Sequence, residues 1–216
     1  MTDEQLQADV VAELFWDPKV GSEAIAVSAA AGTVTLRGTV GSFREKCEAA
    51  KAACRVYGVT GVHNELDVCL LDDSKRDDAE LRGDVLQALM LDGLIPTTVD
   101  ARARNGSVTL SGTADWQYQR DEAEFLAASV PGVYALHNDI RLTSAPGAGD
   151  VKKDISEAFR RNAKLDGDRL SVDTTSYGRV ALVGTVSSWA EHDEAVAAAW
   201  SAPEVTDVDD QILVAY

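Results

Sequence analysis

The sequence predicts an α+β fold of three tandem small domains, each with the order α-β-β-α-β, a three-stranded mixed sheet and two helices packed on one face. Three observations predict it. The pattern G-x-V-x-L-x-G-T recurs from Gly32, Gly106 and Gly178, at spacings of 74 and 72 residues. A helical stripe of apolar residues precedes each copy, and a second helix and a short strand follow it. The 216 residues therefore divide into units of about 70 residues, a size at which small domains fold.

The first helix of each domain is predicted from large apolar residues at i, i+4 and i+8, which fall on one side of an α-helix. These stripes are Leu6, Val10 and Leu14; Leu81, Val85 and Leu89; and Val151, Ile155 and Phe159. Thr2 and Gln5 fit a capping box at the start of the first helix. Each domain is therefore expected to open with a helix that buries one side.

A β-hairpin is predicted next, because alternating apolar residues lie on both sides of a glycine that adopts positive φ at little cost. The predicted strand pairs are 25–29 with 33–38, 99–103 with 107–112, and 170–174 with 179–184. The turn glycines are Gly32, Gly106 and Gly178. Each domain has a second structural glycine, which is interpreted as closing the second strand, where there is little room for a Cβ atom. These glycines are Gly38, Gly112 and Gly184.

The second helix and the third strand complete each domain. Ser42 with Glu45, and Ser188 with Glu191, match the S-x-x-E capping box. Small residues on the packing side allow the helix to approach the sheet closely: Ala49, Ala53 and Val56; Ala123, Ala127 and Val130; and Ala195, Ala199 and Ala202. Alternating strands begin at residues 62, 136 and 208. Because a helix connects the second and third strands, a parallel crossover and hence a mixed sheet are expected.

Domain boundaries follow from this repeat. We predict domains over residues 1–70, 76–143 and 149–216. The stretches 70–78 and 143–150 are polar or rich in Pro and Gly, which is typical of linkers.

The repeated pattern resembles the BON domain, named for bacterial OsmY and nodulation proteins. The likeness rests on the G-x-V-x-L-x-G-T strand, the alanine-spaced second helix and the segment P-G-V-x-x-L-H-N-D-I at residues 131–140. It implies the α-β-β-α-β fold, no catalytic role, and duties in osmotic or envelope stress through phospholipid or protein contacts. The third copy has Glu204 where the others have Gly58 and Gly132, so a different helix-to-strand turn is predicted there.

Net charge excludes some partners. The formal charge is -16, and it is spread as -4, -6 and -6 over residues 1–70, 71–143 and 144–216. No basic stripe is present to neutralise phosphates, which argues against nucleic acid. The same charge opposes purely electrostatic docking on anionic lipid.

The expected location is the cytoplasm, with peripheral membrane association as an alternative. The N-terminus lacks the basic segment and apolar core of a secretory signal, and no apolar run approaches the roughly 20 residues that span a bilayer. Cys47, Cys54 and Cys69 all fall in the first repeat and are odd in number. They are interpreted as small buried hydrophobes, with a redox or metal role as the alternative.

Catalytic chemistry is not predicted. His63 and His137 occupy equivalent positions, which Asp209 takes in the third copy; they are interpreted as partly exposed strand residues rather than metal ligands. No G-x-S-x-G elbow and no glycine-rich phosphate-binding loop occurs. We therefore expect a protein that is not an enzyme, with no catalytic residues, no metal site and no cofactor.

Surface aromatics are the candidate contact residues. Phe15 and Trp16 end the first helix, Trp116 and Tyr118 begin the second helix of the middle copy, and Trp189 begins that of the third. Aromatic side chains at helix ends insert into membrane interfaces, fill a partner's pocket, or seal the edge of a small core. Trp116 and Tyr118 are the first choice, because sister copies have serine at the position of Trp116.

Three functions remain open at this point. The first is a non-enzymatic stress protein that binds a membrane surface or a protein partner through several weak contacts in parallel. The second is a chaperone-like protein that holds client chains. The third is a protein that responds to a cation, potassium above all. The sequence does not determine the oligomeric state.

Overall fold

The computed structural model of the protein describes residues 1–70, 76–143, 150–176 and 178–216. The predicted linkers over 70–78 and 143–150 lie largely outside these residues. The described chain divides into two compact units. One comprises Met1–Ala114 with Tyr118–Ile140, and the other comprises Asp115–Gln117 with Arg141–Tyr216.

The helices and strands follow the predicted order three times. The first domain contains α1 (Asp3–Trp16), β1 (Ile25–Ala30), β2 (Thr33–Val40), α2 (Phe43–Cys54) and β3 (Gly61–Val68). The second contains α3 (Asp78–Leu91), β4 (Asp100–Arg104), β5 (Ser107–Ala114), α4 (Gln117–Ala128) and β6 (Ala135–Leu142). The third contains α5 (Val151–Arg161), β7 (Leu170–Ser176), β8 (Arg179–Val186), α6 (Trp189–Trp200) and β9 (Asp207–Val214).

Each domain has its own three-stranded sheet, with the strands in chain order. In the first domain β1 pairs antiparallel with β2, and β2 pairs parallel with β3. The third domain repeats both pairings. The predicted mixed sheet is therefore confirmed, and the parallel pair follows from the helix that carries the chain back between its two strands.

The core of each domain lies between one face of the sheet and the helices. In the first domain the α1 stripe packs with alternate residues of the strands and with α2 alanines, all at most 3% exposed: Leu6, Val10, Leu14, Val34, Leu36, Ala49, Ala53 and Leu66. Fully burying a Leu or Val side chain contributes about 1.5–3 kcal/mol. The opposite face of the sheet, called the open face below, presents the intervening side chains to solvent.

The predicted N-cap hydrogen bonds form, but the glutamate of the capping box in α2 bonds different backbone N–H groups from those expected. Ser42 Oγ accepts the Glu45 N–H at 3.1 Å, as predicted. The Glu45 carboxylate accepts the N–H of Gly41 at 2.8 Å and that of Gly21 at 2.6 Å, rather than the N–H of Ser42 itself. Glu45 therefore ties the start of α2 to the loop that follows α1.

The second glycine of each repeat lies inside its strand, which corrects the prediction that it closes the strand. Strand β2 continues to Val40, two residues beyond Gly38. The reason is close backbone approach: a Cβ on Gly38 would stand 2.0 Å from the carbonyl oxygen of Ala24, and φ there is +129°. Gly112 and Gly184 face the same conflict, at 2.2 Å and 2.3 Å.

The helix-to-strand turn of the third domain keeps the conformation of its sisters, so the prediction of a different turn is wrong. Glu204 has a φ of 76°, beside 91° for Gly58 and 100° for Gly132. A backbone hydrogen bond closes the turn in each domain, from Val59 to Val56, Val133 to Val130, and Val205 to Ala202. Glu204 therefore holds a left-handed conformation that favours glycine.

A side-chain hydrogen bond ties the second helix to the third strand in the first two domains. Asn64 Nδ2 donates to the carbonyl oxygen of Lys46 at 2.7 Å. Asn138 Nδ2 donates to the carbonyl oxygen of Arg120 at 3.1 Å. This bond satisfies a partly buried amide and fixes the spacing of helix and strand.

The third domain replaces that tie with a different pair. Asp210 stands at the position of the asparagines and has no N–H to donate. Its carboxylate instead lies 2.7 Å from Nε2 of His192, whose Nδ1 lies 3.1 Å from Asp193. The His192 ring packs edge-on against Trp189 at 4.8 Å between centroids. The hydrogen bond with Asp193 raises the pKa of His192, and although burial opposes the change, the charge of Asp210 adds to it.

Candidate binding surface

The end of α1 exposes two large aromatic side chains. Phe15 is 80% exposed and Trp16 is 82% exposed. The cause is helical geometry: successive residues are turned by about 100°, so the two residues after buried Leu14 cannot face the core. Two adjacent aromatics left almost wholly in solvent are unusual, because such surface costs free energy unless it contacts another apolar phase.

The second domain repeats this exposure at the same place. Met90 and Leu91 follow buried Leu89 at the end of α3 and are 84% and 79% exposed. Leu94, in the loop beyond, is 52% exposed. We call these two pairs, Phe15 with Trp16 and Met90 with Leu91, the helix tips.

The third domain departs from the other two. Arg160 and Arg161 end α5 at the positions of the helix tips. The helices differ in charge as well: α1 carries four acidic residues and no basic one, whereas α5 carries four basic residues and two acidic ones. An apolar tip is therefore a property of the first two domains.

The tip of α1 is held by an ion-pair network. Arg55 Nε lies 2.8 Å from the Glu13 carboxylate, and Arg55 Nη2 lies 2.6 Å from that of Asp17. Asp17 is 7% exposed and also accepts the N–H of Lys19 at 3.0 Å. The backbone hydrogen bond from Lys19 and the guanidinium of Arg55 lower the pKa of Asp17. Phe15 and Trp16 stay exposed beside this network.

The other predicted contact residues are less exposed. Trp116 is 38% exposed and Tyr118 is 53% exposed, at the start of α4. Trp189 is partly buried against His192. Their role in binding stays a prediction, as does that of Phe15 and Trp16. The sequence analysis missed Met90 and Leu91. Aligning the apolar stripes of α1 and α3 places these two residues at the positions of Phe15 and Trp16.

A cation-π contact joins the first two domains within their common unit. The guanidinium carbon of Arg44 lies 3.7 Å from the centroid of the Phe125 ring. Arg44 also pairs with the buried carboxylate of Glu48 at 2.9 Å. Such contacts contribute about 0.5–2 kcal/mol, and they give Phe125 a structural role.

Metal sites and membrane-spanning helices are two other kinds of functional feature. Across the residues that the structure describes, no group of three or more His, Cys, Asp or Glu side chains is placed to hold a metal ion. Among the same residues, no helix has the length and apolar character needed to cross a bilayer. His63 and His137 lie exposed on the open faces of β3 and β6.

These features define a tandem array of small α+β domains with exposed apolar helix ends. The chain belongs to the BON domain family, whose model matches residues 2–69, 77–144 and 148–216. It is similar to the osmotically-inducible protein Y of Escherichia coli K12, with 34% identity over 149 residues that cover 65% of this chain and 73% of that protein.

Solved structures of a secretion-system protein were also matched. Two structures of CdsD, a structural protein of the type III secretion system of Chlamydia trachomatis, share 14% identity with this chain at a TM-score of 0.27. One match covers 98% of this chain and 92% of that one, and the other covers 100% of both. At that TM-score the likeness carries no argument about fold or function.

Proposed function

We propose that this is a non-enzymatic stress-response protein whose first two domains insert their helix tips into the interfacial layer of a phospholipid membrane. The observation that carries the proposal is the exposure of two adjacent large apolar side chains at the same position of both domains, each side chain at least 79% exposed. The link to osmotic stress comes from the name of the similar E. coli protein. Raising the osmolality of the medium and measuring the level of this protein tests that link.

Burial of the helix tips supplies enough free energy for reversible binding. Burying a Trp, Phe, Met or Leu side chain contributes about 1.5–3 kcal/mol, so one tip offers about 3 kcal/mol or more before the cost of association. A single tip would bind weakly. Two tips on one compact unit act in parallel, which raises the effective affinity without any further contact.

Charge favours a zwitterionic surface over an anionic one. The chain has a formal charge of -16, and α1 itself carries Asp3, Glu4, Asp9 and Glu13 with no basic residue. An anionic leaflet repels these groups at low salt. Binding through the tips is therefore expected to survive high salt and to weaken when phosphatidylglycerol replaces part of the phosphatidylcholine.

Vesicle flotation with tip variants tests the proposal. The full chain is expected to float with phosphatidylcholine vesicles, and the double variants Phe15→Ser with Trp16→Ser, and Met90→Ser with Leu91→Ser, are each expected to lose about tenfold in affinity, or more, since the lost burial exceeds 1.4 kcal/mol. Trp116→Ala with Tyr118→Ala is the matched control, because it removes comparable aromatic surface elsewhere.

The outcomes separate the alternatives. Loss of binding in the Trp116 and Tyr118 control alone would move the site to the start of α4. Failure of the full chain to float, together with capture of unfolded client protein that depends on the tips, would replace the membrane with a protein ligand. A stability response selective for potassium over sodium, with no effect of the tip variants, would favour the cation-responsive function.

The proposed compartment is the cytoplasm. Cys47, Cys54 and Cys69 are all unbridged, which supports a reducing environment. Fractionation of the native cells, with immunodetection of the protein, tests this part. Recovery in an extracytoplasmic fraction would overturn it.

A further inference from the structure

The open face of the second sheet carries two arginines side by side. Arg102 and Arg104 alternate along β4, two residues apart, so they project from the same face about 7 Å from each other. In the hairpin register Arg102 faces Thr109 and Arg104 faces Ser107. Two guanidinium groups and two hydroxyl groups therefore share one small area of the sheet.

These arginines differ from the arginines on the sister sheets. On the first sheet Arg37 pairs with Glu65 at 2.7 Å, and on the third sheet Arg179 pairs with Asp207. Within the part of the chain that the structure describes, Arg102 and Arg104 have no ion pair. The reason lies in the strands that carry them. Arg37 and Arg179 lie on central strands, directly opposite an acid of the third strand. Arg102 and Arg104 lie on the edge strand β4, whose strand neighbour β5 places Thr109 and Ser107 opposite them.

A pocket forms around this pair. Arg102, Arg104, Ser107 and Thr109 line an open depression of about 720 Å³, with Tyr134 and Ala135 along its border. Tyr134 is held there by its N–H, which donates to the carbonyl oxygen of Gly106 at 2.8 Å. The pocket thus has two fixed positive charges, hydroxyl donors and one aromatic wall.

From this arrangement we infer that the pocket binds the phosphate group of a soluble phosphorylated small molecule. Guanidinium groups bind phosphate oxygens through paired charge-assisted hydrogen bonds, which are about twice as strong as neutral ones. The hydroxyls of Thr109 and Ser107 can donate to the remaining oxygens. Tyr134 offers a flat apolar surface to the rest of the ligand.

A soluble ligand fits better than a lipid headgroup. An anionic bilayer would bring a large negative surface against a chain of charge -16, whereas a small ion meets only the local positive potential of the two arginines. The helix tips of the proposed function lie elsewhere, at the ends of α1 and α3. The two inferences are therefore independent.

Inorganic pyrophosphate is the probe that tests the pocket. In a titration of the ¹⁵N-labelled full chain followed by amide and arginine Nε–H NMR signals, we expect shifts confined to β4, β5 and the residues around Tyr134. Two variants are expected to weaken the interaction about tenfold or more, because charge-assisted hydrogen bonds are lost or opposed. These are Arg102→Gln with Arg104→Gln, and Ala135→Asp, which adds a carboxylate to the border of the pocket.

The control is Arg37→Gln, which changes the net charge by one unit on a sister sheet, as Ala135→Asp does here, and should leave the pyrophosphate shifts unchanged. Equal weakening by Arg37→Gln would show nonspecific ion binding and overturn the inference. Absence of shifts would also overturn it, as would a response to vesicles containing phosphatidic acid without any response to pyrophosphate. The dispersed amide signals of α3 and α4, in the second domain but on the other side of its sheet, report whether each of the Arg102, Arg104 and Ala135 variants is folded.

Discussion

The third domain should lose stability between pH 6 and pH 9 while the first domain does not. The difference arises at the tie between α6 and β9, where His192 faces Asp210 at 2.7 Å and Asp193 at 3.1 Å. Because the pKa of His192 is raised above its ordinary value of 6.5, the pair stabilises the fold fully below about pH 6.5. That contribution disappears as pH rises through the folded-state pKa.

The expected loss of stability in the third domain is modest. A hydrogen bond to a charged group contributes about 1.5–3 kcal/mol. The His192 side chain is 12% exposed, but that of Asp210 is 35% exposed, so solvent screening reduces the contribution to about 1–2 kcal/mol. In the first domain the equivalent bond joins an amide and a backbone carbonyl, neither of which titrates in this range.

Segment-resolved hydrogen exchange on the full chain measures this difference with an internal control. After correction for intrinsic exchange rates, protection of α6 and β9 should fall about 5- to 30-fold from pH 6 to pH 9, while that of α2 and β3 stays constant. The double variant Asp193→Asn with Asp210→Asn should abolish the pH dependence, because it removes both carboxylates that face His192. Asp210→Asn alone should reduce it. An equal fall in both domains, or a pH dependence that survives the double variant, would refute the reasoning.

Three further predictions concern single residues. Gly38→Ala should destabilise the first domain by about 3 kcal/mol or more, because the new Cβ would stand 2.0 Å from a carbonyl oxygen; in denaturant unfolding, Gly83→Ala is the control, since its Cβ meets nothing within 4 Å. Glu204→Gly should raise the free energy of unfolding of the third domain by about 1 kcal/mol by relieving a positive φ of 76°, and an unchanged denaturation midpoint would contradict this. With a thiol reagent near pH 8, exposed Cys69 should react well before Cys47, since burial raises the pKa of the Cys47 thiol; equal rates in mass spectrometry would count against it.

The fold could be predicted from sequence because its signals are local and recur in all three domains. The i, i+4, i+8 stripe of Leu6, Val10 and Leu14 fixes the buried side of α1, and all three residues are at most 3% exposed. The Ser42 cap likewise depends only on residues within one turn of the helix. Features of this kind are set by helical geometry, which any single repeat reveals.

The corrections share a different origin, because each depends on contacts between distant segments. Gly38 is required by the chain that enters β1, whose carbonyl oxygen belongs to Ala24. Glu204 retains a glycine-like conformation because its turn is tied to the β-hairpin, where the N–H of Thr206 donates to the carbonyl oxygen of Gly178 at 2.7 Å.

The candidate binding surfaces were only partly predictable. Phe15 and Trp16 are recognisable from sequence as aromatics at a helix end, and their exposure follows from the position of Leu14. The pair Arg102 and Arg104 is not, because its chemistry depends on the cross-strand neighbours. An arginine on a strand is unremarkable until the register shows what lies opposite it, which here is Thr109 and Ser107 rather than an acid.

Each sheet contains three strands in chain order, so each of the three domains has two edge strands. Edge strands expose unpaired N–H and C=O groups that invite pairing with strands of other molecules. The last strands of the first and third domains carry acidic side chains along the open face: Glu65 and Asp67 in β3, and Asp207 and Asp209 in β9. Like charges make stacking of two such edges unfavourable. The strong acidity of this chain thus also disfavours aggregation of a protein with many strand edges.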